Sequence, residues 1–217
     1  MLVTAIIPAF NEAHNIGAVL KTLSASSLIN EIVVVSDGSE DDTVSIASAY
    51  EAVKVIELLG NRGKGGAVKA GLDNSGGDII LVLDADLIGL KEEHINALLH
   101  PVTSGSTKMT TGLFEKGRTV TDLAQKVAPF LSGQRALKRE LLENISDIDL
   151  SRFGIEVALQ LYVEEHAVEN KLVQLPLLSH VMKEEKLGFW KGILARVKMY
   201  WEIICYVTNT EIEKKVV

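Results

Sequence analysis

The sequence predicts an α/β fold with a mainly parallel central sheet flanked by helices. Short apolar runs alternate with helix-periodic stretches through the first hundred residues. The runs are rich in Val and Ile with little polar alternation, as strands buried on both faces are. Polar and charged residues gather directly after the runs, where ligands of such sheets bind. At 217 residues the chain has the length of one domain, and it can bury a full core without disulfides or a structural metal.

The elements follow in order. Residues 2–7 form an apolar strand run that ends at Pro8. Residues 12–23 have helical spacing at Ile16, Val19, Leu20 and Leu23. Strands are expected at 31–36, 53–58 and 78–83, with helices at 41–50, 64–72 and 91–99 between and after them. The second half is less regular: strands at 108–114, 131–136 and 172–178, and helices at 120–127, 138–144 and 152–166. The helix over 152–166 carries Ile155, Leu159 and Val163 along one face, and the one over 120–127 is stopped by Pro129. A long amphipathic helix over 189–207 comes last. No repeat, low-complexity tract or linker interrupts the chain.

Composition excludes several classes. A formal net charge of −7 argues against a nucleic-acid partner. The one cysteine, Cys205, cannot form an internal disulfide and sits among apolar residues, which fits a small buried hydrophobe in a reducing compartment. The N-terminus has no basic n-region, and no uncharged apolar run reaches the ~18 residues of a membrane span. A cytoplasmic protein is expected, able to touch a membrane without crossing it.

The strand ends carry the chemistry. After the first comes Pro8-Ala9-Phe10-Asn11-Glu12, where Asn11 can cap the next helix and Glu12 suits its dipole. After the second comes Asp37-Gly38-Ser39-Glu40-Asp41-Asp42-Thr43. Gly38 permits a tight turn, Ser39 or Asp41 can cap, and a carboxylate there could also accept the N–H of a pyrimidine base. After the third comes Gly60-Asn61-Arg62-Gly63-Lys64-Gly65-Gly66 at a helix start, either a cradle for phosphate oxygens or a glycine-rich turn with two solvated cations. After the fourth comes Asp84-Ala85-Asp86. Two acids one residue apart at the end of an apolar run repel unless something neutralises them. A hard divalent cation completed by diphosphate oxygens fits, and a helix-capping acidic turn is the structural alternative.

These five segments, Pro8-Ala9-Phe10-Asn11-Glu12, Asp37-Gly38-Ser39, Asp41-Asp42-Thr43, Gly63-Lys64-Gly65 and Asp84-Ala85-Asp86, stand in the order and spacing of GT-A-fold glycosyltransferases of the family 2 type, and the chain resembles that group over roughly residues 3–90. The second half is similar to a narrower group, the glucosyl-3-phosphoglycerate and mannosyl-3-phosphoglycerate synthases. Leu131-Ser132-Gly133-Gln134-Arg135-Ala136 resembles their acceptor-side segment, Phe153-Gly154-Ile155-Glu156-Val157 their Gly-Tyr-Gly-Val-Glu-Ile run, and His180 their third metal ligand. The chain departs from them in being shorter and in following His180 with Val181-Met182-Lys183 rather than a basic stretch.

The resemblance implies a GT-A domain over 1–217: a nucleotide-sugar half over 1–100, an acceptor-side half over 101–186 and a C-terminal amphipathic helix over 187–217. It implies a nucleotide-sugar donor of the UDP-glucose or GDP-mannose type with Mg²⁺ or Mn²⁺. Pro8, Ala9, Phe10 and Glu12 would line the nucleoside pocket with Asp37 on the base, and Ser39, Gly63 and Ala85 would complete the donor site. Lys64 would reach the diphosphate; Asp84, Asp86 and His180 would hold the metal. Lys64 and Arg135 would offset charge on the leaving diphosphate, with Glu156, Asp147 or Asp149 as base in an inverting enzyme and Glu156 as acceptor orienter in a retaining one. The structural alternatives are a solvated helix residue for Glu156 and a surface cation or a pair with Glu140 for Arg135.

The expected acceptor is a small phosphorylated or hydroxylated molecule; the alternative is a lipid such as a polyprenyl phosphate. The helix over 189–207, with Phe189, Trp190, Tyr200, Trp201 and Val207 on its apolar face, is expected to bury that face in the domain or a homodimer, with peripheral membrane contact as the alternative. Two other functions compete. In a nucleotidyltransferase the glycine-rich basic loop would directly follow the first strand, where this chain has Pro8 to Glu12. A non-catalytic nucleotide-binding module would keep the pocket without transfer.

Overall fold

The computed structural model describes residues 1–115, 132–145 and 155–180. The chain divides into two units, Met1–Ser179 and His180–Val217, and the first holds the sheet and helices that follow. Seven strands form one sheet in the order β3-β2-β1-β4-β7-β6-β8. These are β1 (Val3–Ala9), β2 (Glu31–Ser36), β3 (Val53–Glu57), β4 (Ile79–Val82), β6 (Met109–Glu115), β7 (Arg135–Lys138) and β8 (Asn170–Pro176). Two-residue strands β5 (Leu87–Ile88) and β9 (Ser179–His180) form a separate pair. The helices are α1 (Ile16–Ala25), α2 (Thr43–Ser48), α3 (Gly63–Asp73), α4 (Glu92–Thr103), α5 (Arg139–Glu143) and α6 (Ile155–Glu165).

The sheet is parallel except at β7, which runs antiparallel to both β4 and β6. Successive residues of β1 face opposite layers, as the pleat requires. Ala5 and Ile7 join Ile16, Leu20, Ile95 and Leu98 of α1 and α4 in one core. Ile6 joins Val68 and Leu72 of α3 and Ile155 and Leu159 of α6 in the other. Burial of each large aliphatic side chain is worth about 1.5–3 kcal/mol, so the two-sided sheet explains its unbroken Val and Ile runs.

Helix α3 needs more than its own propensity. Its sequence, GKGGAVKAGLD, holds four glycines, each about 1 kcal/mol worse than Ala in a helix. The glycines allow a close approach: a Cβ on Gly71 would stand 2.6 Å from Ile6 Cγ2. Both ends are clamped. At the start, the Asp37 carboxylate accepts the N–H of Arg62 at 2.7 Å and of Gly63 at 2.8 Å. At the end, the Arg139 guanidinium donates to the carbonyls of Leu72 (3.1 Å), Ser75 (2.6 Å) and Gly77 (2.7 Å).

Several sequence expectations change. Helix α1 begins at Ile16, not 12, and Asn11 does not cap it. Asn11 instead takes a left-handed turn at φ 54°, donating its N–H to Ser39 Oγ and accepting the N–H of Glu40. Ser39 is thereby spent on the neighbouring loop rather than on a cap. Asp41 accepts the N–H groups of Ala13 and Thr43, which stitches the loops after β1 and β2 together. Strand β8 starts two residues before the expected 172 because β6 pairs it from Asn170. The expected helix over 120–127, Leu131, Asp147, Asp149, Phe153, Gly154, Val181 to Lys183, Cys205 and the apolar face from Phe189 to Val207 lie outside the described residues.

Candidate functional site

The strand order places a crevice. From β1 the chain moves outward through β2 and β3, then returns to add β4 on the other side, so the carboxyl ends of β1 and β4 flank the topological switch point. β4 runs straight into the turn at Ala85 and Asp86. Because β7 is antiparallel, its first residue, Arg135, pairs with the last residue of β4, Val82. Residues 132–134 therefore arrive at the same edge as Asp84, and the first turn of α6 brings Glu156 there.

Lys64 joins the two halves. Its ammonium donates to Asp84 Oδ1 at 2.6 Å and to Glu156 Oε1 at 2.7 Å. Burial would lower the lysine's pKa, but the carboxylates of Asp84 and Glu156 win and hold it above its ordinary value. The lysine side chain stays about a quarter exposed, at 24%. Asp84 is gripped from its other oxygen, where Gln134 Nε2 donates to Oδ2 at 2.9 Å. Arg135 lies beneath, 1% exposed, with its Nε donating to the Ser132 carbonyl at 3.1 Å. Burial pushes its pKa down to about 10 against the opposing pull of Glu156, so it remains a cation at neutral pH. Glu156 stands in the first turn of α6, at the positive end of the helix dipole.

The expected site residues fall into three groups. Lys64, Asp84, Glu156 and Arg135 come together. Glu156 is buried rather than solvated, and Arg135 is not a surface cation; Glu140 pairs with Lys108 instead. Pro8 and Ala9 are the last residues of β1, and Phe10, Glu12 and Ser39 stand in the loops after β1 and β2, with Phe10 47% exposed. Asp37 and Gly63 are engaged with one another, so the first amides of the expected phosphate cradle already have a carboxylate partner. Ala85 is buried and Asp86 half-buried on the turn after β4. His180 opens the second unit. Among the described residues, no three His, Cys, Asp or Glu side chains group together to hold a metal ion; Asp84 is turned to Lys64 and Gln134.

Gln134 and Gly133 are expected from the sequence only as members of an acceptor-side segment, with no individual role. Neither has a signal of its own: one is an ordinary amide, the other one glycine among 17. Their placement follows from the direction of β7.

A model of glycosyl transferase family 2 matches residues 4–158, most of the chain. The chain belongs to this family. Within glycosyl transferase family 2 it is similar to the prophage bactoprenol glucosyl transferase homolog of Escherichia coli, at 28% identity over 216 residues, 95% of this chain and 63% of that protein. It is also similar to the dolichol-phosphate mannosyltransferase of Pyrococcus furiosus, at 27% over 202 residues, 81% of this chain and 56% of that one. A dolichyl-phosphate beta-glucosyltransferase of Drosophila melanogaster is 40% identical over 98 residues, covering 38% of this chain and 30% of its own. The chain thus spans less than two thirds of the length of each of these relatives. Among solved structures, glucosyl-3-phosphoglycerate synthase from Mycobacterium tuberculosis with Mn²⁺, UDP-glucose and phosphoglyceric acid superposes with a TM-score of 0.71 at 25% identity, over 83% of this chain and 72% of that one. The GT-A-like α/β fold is thereby shown. Among the described residues no helix is long and apolar enough to cross a membrane.

Proposed function

We propose that the protein transfers a hexose from a nucleotide-diphosphate sugar to a polyprenyl phosphate. The observation that carries the transferase reading is the Lys64–Asp84–Glu156 cluster at the switch-point crevice, in a family 2 chain. The bactoprenol and dolichol-phosphate relatives named above support the lipid acceptor over the small acceptor expected from the sequence. The structural likeness to the phosphoglycerate synthase supports the small acceptor as the second reading.

A donor diphosphate entering the crevice would meet the partly exposed Lys64 ammonium. An ammonium that turns to the diphosphate gives up its bond to Glu156. A divalent cation would add to Lys64 in neutralising charge on the departing diphosphate. The donor set fits a hard ion modestly: Asp84 is committed on both oxygens, which leaves Asp86 as the principal protein carboxylate, with diphosphate oxygens and water for the remainder.

The two acceptors demand different work from Glu156. A phosphate monoester is already ionised at neutral pH and needs no base. A hydroxyl acceptor must lose a proton as it attacks, and general-base catalysis is worth roughly 10²–10⁴-fold. The test is transfer from UDP-glucose and GDP-mannose to polyprenyl phosphate and to 3-phosphoglycerate, with Mg²⁺ or Mn²⁺ and with chelator. Transfer to the lipid, with Glu156→Gln losing less than about 10-fold, is the expected result. Transfer only to the hydroxyl acceptor, with Glu156→Gln nearly inactive, overturns the lipid reading. Nucleoside diphosphate binding without transfer to either acceptor defeats the enzyme itself.

A further inference from the structure

We propose that Gln134 and Gly133 are positioning residues that set the site's geometry through Asp84. The proposal rests on the transferase reading but has a readout of its own.

Gln134 is 1% exposed, and its amide nitrogen holds Asp84 Oδ2 at 2.9 Å while Lys64 holds Oδ1 at 2.6 Å. Gripped at both oxygens, the carboxylate has its plane fixed. The other end of the same amide tells against a packing role. Gln134 Oε1 is buried with no hydrogen-bond partner among the described residues. A buried unpartnered acceptor is destabilising, and an apolar side chain of similar shape would avoid the cost. Places where a chain accepts such a local penalty are where function overrides stability.

Gly133 supplies the complementary half. A Cβ there would stand 2.5 Å from Asp84 Oδ2 and 2.7 Å from Oδ1, and would overlap Lys64 Nζ as well. The Lys64–Asp84 ion pair therefore occupies the space a side chain at 133 would need. One residue leaves room for the pair, and the next fixes it. Both act through Asp84.

The test uses Gln134→Leu and Gly133→Ala in the full chain, with three measurements: Tm, the ¹⁵N signal of the Lys64 ammonium, and steady-state turnover. For Gln134→Leu we expect a Tm equal to or above wild type, a shifted or broadened Lys64 signal, and kcat/KM lower by about 10- to 100-fold, the usual effect of removing a partner that orients a functional group. Gly133→Ala should move the same Lys64 signal. A Lys64 signal unchanged in both variants overturns the proposal, as does a Gln134→Leu variant whose activity loss only tracks a lowered Tm. Wild-type turnover is read separately: its absence counts against the transferase reading, whereas the Lys64 signal reports positioning without any substrate.

Discussion

At the amino edge of the sheet, Glu31, Asp78 and Arg139 each hold backbone groups; at the carboxyl edge, Lys64, Asp84 and Glu156 are held by side chains. Glu31 accepts from Thr4 Oγ1 at 2.7 Å and from the N–H of Gly76 at 3.0 Å, Asp78 accepts the N–H of Leu2 at 2.8 Å, and Arg139 spends its guanidinium on three carbonyls. At the other edge, Lys64 bonds to Asp84 and Glu156, and Asp84 to Gln134. Backbone partners are consumed by the fold. Side-chain partners can be exchanged for a ligand without unfolding anything. Asp37 shows that location alone does not decide the matter: it lies at the carboxyl edge, yet its carboxylate is spent on two backbone amides like a residue of the opposite edge.

This contrast can be broken by experiment. The largest effect is expected at Lys64. Lys64→Met should lower turnover by about 10²–10³-fold, the scale of losing a group that stabilises transition-state charge. A loss under about 10-fold would remove Lys64 from the chemistry. Arg139→Ala should act on stability instead. Losing several charge-assisted bonds to carbonyls should cost roughly 2–4 kcal/mol, or about 4–16 °C in Tm for a domain of this size. Turnover per folded molecule should hold, and a selective activity loss without a Tm change would erase the distinction between the edges.

The smallest effect is a pH dependence. Because Lys64 has a raised pKa in the folded state, its ion pairs add stability that is present in full below the unfolded value of 10.5 and is lost as pH rises through the higher folded value. Urea melts of wild type and Lys64→Met across the alkaline range should therefore converge as pH climbs past 10.5. A gap that stays constant through that window would mean the pairs contribute nothing.

Much of the fold was legible because apolar runs bounded by turn residues mark buried strands. The alternation of the longer strands and helices from β1 to α4 follows from that pattern, and so does the gathering of polar residues at the strand ends. Strands β5 and β9 were not legible, since two residues carry no period. Nor was the reversal of β7, because pairing direction leaves no trace in four residues of strand. That reversal hid the approach of Gln134 and Gly133 to Asp84. Asn11 read as a cap because its residue type suits one, but the loop after β2 offered it better partners. Lys64 and Asp84 were legible as charges at strand ends; that one ammonium would bridge to Glu156 was not, since the docking of α6 leaves no local pattern in the sequence.

Helix α3 carries the lysine of the site between two fixed ends. Ligand-binding segments usually come from the part of a fold that opens most readily. Here the cation rides on a segment that can leave only by parting from Asp37, from Arg139 and from the sheet at Gly71 together. Fraying cannot withdraw it. Heat should therefore disable the lysine only when the whole unit melts, and backbone amides of this glycine-rich stretch should exchange with solvent as slowly as those of the central strands.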